Sequence, residues 1–324
     1  MNPPPPSSPS PPPPPSPSRS TPPSTSSPAD PAAAAALPRL YDDLAWLWPI
    51  ISPPEQYAAE AQLLEELITR RLGPGPHRIL ELGAGGGHTL VHLDHRGQGR
   101  HDTVAVDLSA PMLAHARRLI PGLETHVADM RDLRLGQSFD LVLIHDAIDY
   151  LDTPGDVAAA LATAHAHLRP GGLAVVAPTY TTETFIDGES THDSADAYPE
   201  LDLEIDPAAS GQTDSQTDGP STAGAAPPPS ADFVGEVTYL SYVHDPDPAD
   251  HAFEMILLYL IRAATGDDAP RAVRVVEDRH RCGLFDRQTW LDLIQTANLD
   301  AEFLQQGDDD EYGAWSLFVG TRKD

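Results

Sequence analysis

Apolar residues recur along this chain at two rhythms, and the change of rhythm predicts its elements. Between Glu55 and Leu72, the residues Leu63, Leu64, Leu67 and Ile68 return at helical spacing. Pro53-Pro54 precede that stretch and Gly73-Pro74 follow it, so a helix is expected. Short apolar runs come next. Arg78–Leu82, Thr103–Asp107, Glu124–Ala128, Phe139–His145 and Leu173–Ala177 read as five strands, the fourth so uniformly apolar that both its faces must be buried. Helical signals lie between them. One helix is expected from near Gly87, and one capped by Ser109 carries Met112, Leu113, Ala116, Leu119 and Ile120. Another, opened by Thr153 or Asp156, runs to Leu168, and Arg169-Pro170-Gly171-Gly172 turns into the fifth strand. Strand and helix in alternation predict a mostly parallel sheet covered by helices on both faces.

After the fifth strand the pattern changes. Val234–His244, Phe253–Arg262 and Ala272–Arg281 alternate or are rich in β-formers, with turn signals at Asp245-Pro246 and Gly266-Asp267. A small antiparallel sheet inserted there is expected, although Met, Leu and Ala leave Phe253–Ala264 open to a helical reading. Asp286 caps a further helix burying Trp290, Leu291, Ile294 and Ala297, and strands near Glu302 and over Trp315–Thr321 close the chain.

Composition limits how much of the 324 residues can fold. Pro, Ser and Thr fill Asn2 to Pro31, and Ile186 to Asp232 holds eleven Asp or Glu with no Lys or Arg. Neither can bury enough apolar surface to order itself. The expected organisation is a disordered tail over 1–37 and one domain over 38–324. Within that domain, 188–232 is expected to be a disordered acidic insert and 233–282 the antiparallel sheet. The formal charge is −29, from 20 basic and 49 acidic residues, which argues against nucleic acid or an anionic membrane as partner and favours a small molecule. One cysteine, Cys282, suits a reducing compartment, no signal peptide is read, and no run nears the ~20 apolar residues of a membrane span. A cytoplasmic protein is expected, its oligomeric state left open. The pairs His92/His95 and His165/His167 lack ligand spacing, so no metal is expected.

The chemistry concentrates in Arg78-Ile-Leu-Glu-Leu-Gly83-Ala-Gly85-Gly-Gly87, with Asp107 twenty residues beyond. A glycine turn lets a backbone approach a ligand closely, and an acid at the tip of the next strand can take both hydroxyls of a ribose. A nucleoside-bearing cofactor follows. The dinucleotide fingerprint would need glycine at His88, and a phosphate-binding Gly-Lys-Ser/Thr end is missing. This weakens the rival reading as an NAD(P)-dependent oxidoreductase.

Glu81, Gly83, Gly85 and Gly87 together resemble the first motif of class I S-adenosylmethionine-dependent methyltransferases, E/D-x-G-x-G-x-G. Four further features stand in that family's order: Thr103-Val-Ala-Val-Asp107 with Leu108-Ser109-Ala-Pro-Met112, then Ala128-Asp129-Met130, Ser138–His145, and Leu168-Arg-Pro-Gly171-Gly172. The resemblance implies a Rossmann-like α/β fold with a seven-stranded, mostly parallel sheet, and S-adenosyl-L-methionine as cofactor. It implies that Gly83, Ala84, Gly85 and Gly87 pass beneath the methionine part of the cofactor and that Glu81 supports that turn. Asp107 would chelate the ribose, Leu108 and Met112 flank the adenine, Asp129 accept the adenine amine, and Met130 and His145 stand close by.

Val276 to Ala297 resembles the corresponding part of bacterial small-molecule methyltransferases, the sugar N-methyltransferases and relatives of glycine N-methyltransferase. In that group an antiparallel sheet covers the active site, and the acidic insert departs from its pattern. Transfer to a nitrogen or an oxygen of a small molecule is implied. Tyr150, His280 and Asp146 are the candidate catalytic groups, and Tyr41, Trp46, Asp149 and Arg279 the candidate acceptor contacts. Tyr41, Trp46 and Trp48 suggest a lid. A protein that binds the cofactor and acts as a regulator without methylating is the alternative of a different class.

Overall fold

The computed structural model describes residues 37–197, 235–263, 273–306 and 315–323. The proline-rich tail lies outside these residues, as does most of the expected acidic insert. A segment of short turns leads into α1 (Trp48–Ile51), followed by α2 (Ala58–Leu72). Then come β1 (Arg78–Leu82), α3 (Leu90–Leu93), β2 (Asp102–Asp107), α4 (Ala110–Leu119), β3 (Glu124–Val127), β4 (Phe139–His145), α5 (Pro154–His167) and β5 (Leu168–Ala177). The second half holds β6 (Ser190–Ala197), β7 (Gly235–His244), β8 (Ala252–Ala263), β9 (Val273–Gly283), α6 (Arg287–Thr296), β10 (Leu299–Gln306) and β11 (Trp315–Arg322).

Seven strands form one sheet in the order β10-β11-β5-β4-β1-β2-β3. The five from β1 to β5 run parallel, and β11 and β10 add antiparallel at one edge. Alternation along β4 divides the core between two faces. Val142 and Ile144 pack with Val157 and Leu161 of α5 and Trp290 and Ile294 of α6, whereas Leu141 and Leu143 pack with Leu64, Leu67 and Ile68 of α2. Side-chain caps start three helices: Ser109 Oγ accepts from Met112 N, Thr153 from Asp156 N and Asp286 from Thr289 N. Thr153, not Asp156, therefore opens α5.

A second sheet has the order β6-β7-β8-β9, antiparallel throughout. Two readings change here. β8 is a strand, paired on both sides, as in Leu240↔Leu258↔Glu277, so cross-strand pairing overrides the helical leaning of its Met, Leu and Ala residues. The acidic insert was drawn to begin at 188, yet Ser190–Ala197 is the sheet's edge strand, in register with Tyr242 down to Gly235. Its polar residues hid it, since an edge strand needs no apolar side chains to complete its ladder. Two smaller differences concern boundaries. The helix after β1 is a single turn starting at Leu90, and β5 starts at Leu168, with the Arg169–Gly172 stretch inside it.

The segment before α1 is fastened to the second sheet. Leu40, Leu44, Trp46, Leu47, Ile50 and Ile51 form one apolar cluster with Val237, Leu257, Tyr259, Ile261 and Val276. This cluster holds the aromatic segment where β1 and β4 end.

Candidate active site

β1 carries the chain straight into the glycine turn. Gly83, Gly85 and Gly87 all take positive φ, at 82°, 51° and 77°. At Gly83 the reason is steric as well as conformational, because a Cβ there would stand 2.1 Å from Ala147 Cβ. The turn hangs from β2: Gly83 N and Ala84 N both donate to Val106 O, at 2.7 and 2.9 Å. Asp107, at the tip of β2, accepts from Gly85 N at 2.8 Å and Ser109 N at 2.7 Å. Burial raises Asp107 above the ordinary carboxylate range, against the pull of those N–H groups.

Other predicted cofactor contacts gather around this turn. Cβ atoms placed on Gly83 and Gly85 would stand 3.2 Å from Met130 Cε and 3.4 Å from Met112 Cε. Leu108 is half exposed, whereas Met112 is fully buried. Asp129 sits farther along, its carboxylate held by Arg131 at 2.6 Å, which keeps it below the usual carboxylate range. His145, at the end of β4, lies 3.3 Å from Asp146 Oδ1 and 3.5 Å from Glu60 Oε2. Trp48 reaches over Gly86, and the rings of Trp48 and Tyr57 flank His88, whose pKa burial lowers to about 4.

Beyond β4 the backbone bends sharply at Asp146, with φ 47°, into the turn Ala147–Tyr150. This turn brings four aromatic or acidic groups from three distant segments together. Tyr150 Oη lies 2.6 Å from His280 Nδ1 and 2.8 Å from Tyr41 Oη. His280 Nε2 lies 3.0 Å from Asp278 Oδ2. Asp278 accepts in addition from Arg39 N at 3.1 Å and Leu40 N at 2.8 Å, so it also fastens the N-terminal segment. His280 and Asp278 are 1% and 4% exposed. Tyr41 reaches the cofactor side through its carbonyl, which accepts from Ser109 Oγ at 2.5 Å.

The structure thus joins Tyr41, Tyr150 and His280, and adds Asp278, which motif reading missed. A signal was present: Asp278 and His280 are two residues apart on a strand and so share a face. The same pleat corrects Arg279. It points to the opposite, exposed face, paired with Glu277 and Glu254, and cannot meet an acceptor beside His280. Trp46 is 7% exposed within the apolar cluster. Asp149 is buried, its Oδ2 accepting from Thr179 N at 3.0 Å, and burial raises its pKa well above the carboxylate range. The Asp146 side chain is exposed beside Thr179.

A nucleoside cofactor carrying positive charge fits these residues. The glycine turn presents backbone without side chains at Gly83, Gly85 and Gly87, and the Asp107 carboxylate is tied to it through Gly85 N. Glu81, 3% exposed, has a buried Oε2 with no hydrogen-bond partner among the described residues, and burial lifts its pKa well above the usual range. A buried carboxyl oxygen left unmatched beside the turn suits a ligand that brings a donor or a positive charge to it.

Comparison with known proteins agrees. A methyltransferase-domain family model matches residues 79–172. Over 135 residues the chain is 39% identical to a dTDP-3-amino-3,4,6-trideoxy-alpha-D-glucopyranose N,N-dimethyltransferase of Streptomyces venezuelae, covering 41% of this chain and 55% of that protein. A dTDP-3-amino-3,6-dideoxy-alpha-D-glucopyranose N,N-dimethyltransferase of Streptomyces fradiae is 36% identical, covering 41% and 51%. The chain spans about half the length of the curated relatives it matches. Among solved structures, the sugar N-methyltransferase KedS8 from Streptoalloteichus is 26% identical over 93% of this chain and 98% of that one, with a TM-score of 0.65. DesVI of Streptomyces venezuelae is 27% identical over 86% and 96%, with a TM-score of 0.61. Residues 79–172 match a methyltransferase domain, and the chain as a whole resembles the class I S-adenosylmethionine-dependent methyltransferases, the sugar N-methyltransferases among them.

Proposed function

We propose that the protein transfers methyl groups from S-adenosyl-L-methionine to the amine nitrogen of a small molecule, an amino sugar being the class its relatives' names suggest. The observation that carries this is the glycine turn tied to Asp107, beside the Tyr41–Tyr150–His280 chain. Bound at the turn, the cofactor supplies a methyl group already activated on a sulfonium. The protein's own part is placement and exclusion of water. Asp107 holds the ribose hydroxyls, Leu108 and Met112 bracket the adenine, and Asp129, oriented by Arg131, accepts its amine. Glu81 and the backbone of Gly83–Gly87 hold the methionine end, with Met130 and His145 beside them.

The antiparallel sheet and the N-terminal segment cover the acceptor end, where Tyr41 and Asp149 face an incoming amine. Tyr150 and His280 act on that amine through Tyr41, and burial keeps both tyrosines protonated at neutral pH, so they act as hydrogen-bonding groups rather than as phenolates. A small-molecule partner, and a cytoplasmic setting for an enzyme with one buried thiol, complete the reading. Among the described residues, no helix is long and apolar enough to cross a membrane. Titration calorimetry tests the assignment. S-adenosylmethionine and S-adenosylhomocysteine should bind, and Asp107→Ala should abolish binding. Binding of NADH instead would overturn the assignment.

A further inference from the structure

We infer that Tyr41, Tyr150 and His280 form a proton path with a built-in direction, set by Asp278 as a positioning residue. The inference rests on the amine-methylating reading above. It follows from counting hydrogens along the chain. Asp278 already accepts from two backbone N–H groups and stands 3.0 Å from His280 Nε2, so the hydrogen of a neutral imidazole sits on Nε2. Nδ1 is then bare, and at 2.6 Å it can only accept from Tyr150. Tyr150 has spent its one hydrogen, so at 2.8 Å its oxygen accepts from Tyr41. Tyr41 is left with open lone pairs and nothing to donate. The outer end of the path is an acceptor.

An amine needs this, because at neutral pH it is largely an ammonium and cannot attack until a proton leaves. The step balances. The ammonium N–H bond breaks and its pair stays on nitrogen. The proton passes to Tyr41 Oη, the Tyr41 proton to Tyr150 Oη, and the Tyr150 proton to His280 Nδ1, leaving an imidazolium against the Asp278 carboxylate. In that state the two hydrogen bonds joining Tyr41, Tyr150 and His280 reverse while Nε2 still donates to Asp278, and Tyr41 becomes a donor, so the path empties outward once the product has gone.

Tyr41 is placed for the outer role. Its carbonyl is tied to Ser109, two residues beyond Asp107, and its ring lies 6.1 Å from Trp48, which reaches over the glycine turn. Among the described residues, the charged or titratable groups around the path are Asp278 and Cys282 on β9, Tyr259 on β8, Asp149 and Asp146 on the turn, and Asp107 beyond Tyr41. His251, Arg279 and Arg281 are engaged elsewhere, on Phe285, Glu277 and Asp152.

The test needs one measurement without turnover and one with it. In cofactor-free protein labelled with ¹⁵N-histidine, His280 should show the Nε2–H tautomer. The Nδ1–H tautomer would overturn the path. In turnover, Tyr150→Phe should lower kcat by about 100-fold or more while S-adenosylhomocysteine affinity and KM hold. Asp278→Asn should lower kcat and raise the share of the Nδ1–H tautomer in the same ¹⁵N spectrum, because the carboxylate that held Nε2–H is gone. Wild-type turnover in Tyr150→Phe, or an Asp278→Asn variant whose turnover and tautomer both match wild type, would overturn the path. Should Asp278→Asn fail to fold, the tautomer and Tyr150→Phe still decide. If the wild-type protein neither binds S-adenosylhomocysteine nor methylates an amine, the parent reading fails instead.

Discussion

Gly83 shows how one residue can hold two parts of the site together. Its positive φ disfavours any side chain, and Ala147 fills the place where a Cβ would go. Gly83→Ala should therefore lose cofactor binding and destabilise the fold by at least about 1–2 kcal/mol, the cost of a side chain at positive φ. Adding Ala147→Gly should return part of that stability by relieving the clash, while leaving the φ penalty. Thermal unfolding of the two variants measures the split, and equal stabilities would show that Ala147 is not the obstacle. Position by position, the glycines and Asp107 were legible because a short motif carries their chemistry. Asp278 was not, because it acts through His280 and stands in no cofactor motif. Arg279 was misplaced because a charged residue beside a candidate histidine reads as a contact until the pleat is known.

At the level of elements, the N-terminal segment is the joint between the two halves of the site. It is held by Asp278 at Arg39 and Leu40, by Ser109 at Tyr41, and by an apolar cluster on β7, β8 and β9. Ser109 thus has two duties, since its hydroxyl also caps α4. Ser109→Ala should cost about 1–2 kcal/mol for the lost cap. It should also speed amide exchange across Tyr41–Trp48, beyond any change in α4. Exchange confined to α4 would contradict the joint. Parallel strands and capped helices were readable because burial on both faces and side-chain caps leave plain signatures. β6 and β8 were harder, because pairing with a neighbouring strand, not their own composition, decides their state.

Over the whole molecule, function follows from bringing three distant segments to one edge of a parallel sheet. The N-terminal aromatics, the turn after β4 and strand β9 meet there beside the glycine turn, where ligands of open α/β sheets sit. A mostly parallel sheet was expected from the alternation of strands and helices, its seven strands from the family resemblance, and the inserted antiparallel sheet from the break in that alternation. The strand order came only with the structure. The acceptor was not legible, because its recognition depends on which side chains converge across the chain, and no local pattern records that. The formal charge of −29 separates small-molecule chemistry from nucleic-acid binding, but it does not choose among small molecules. The most direct measurement is to supply S-adenosylmethionine labelled on its methyl group together with amino-sugar acceptors, and to follow the label by mass spectrometry. Label on the amine nitrogen, with S-adenosylhomocysteine formed in equal amount, is the predicted result. Cofactor binding without label on any amine, or label on oxygen alone, would contradict it.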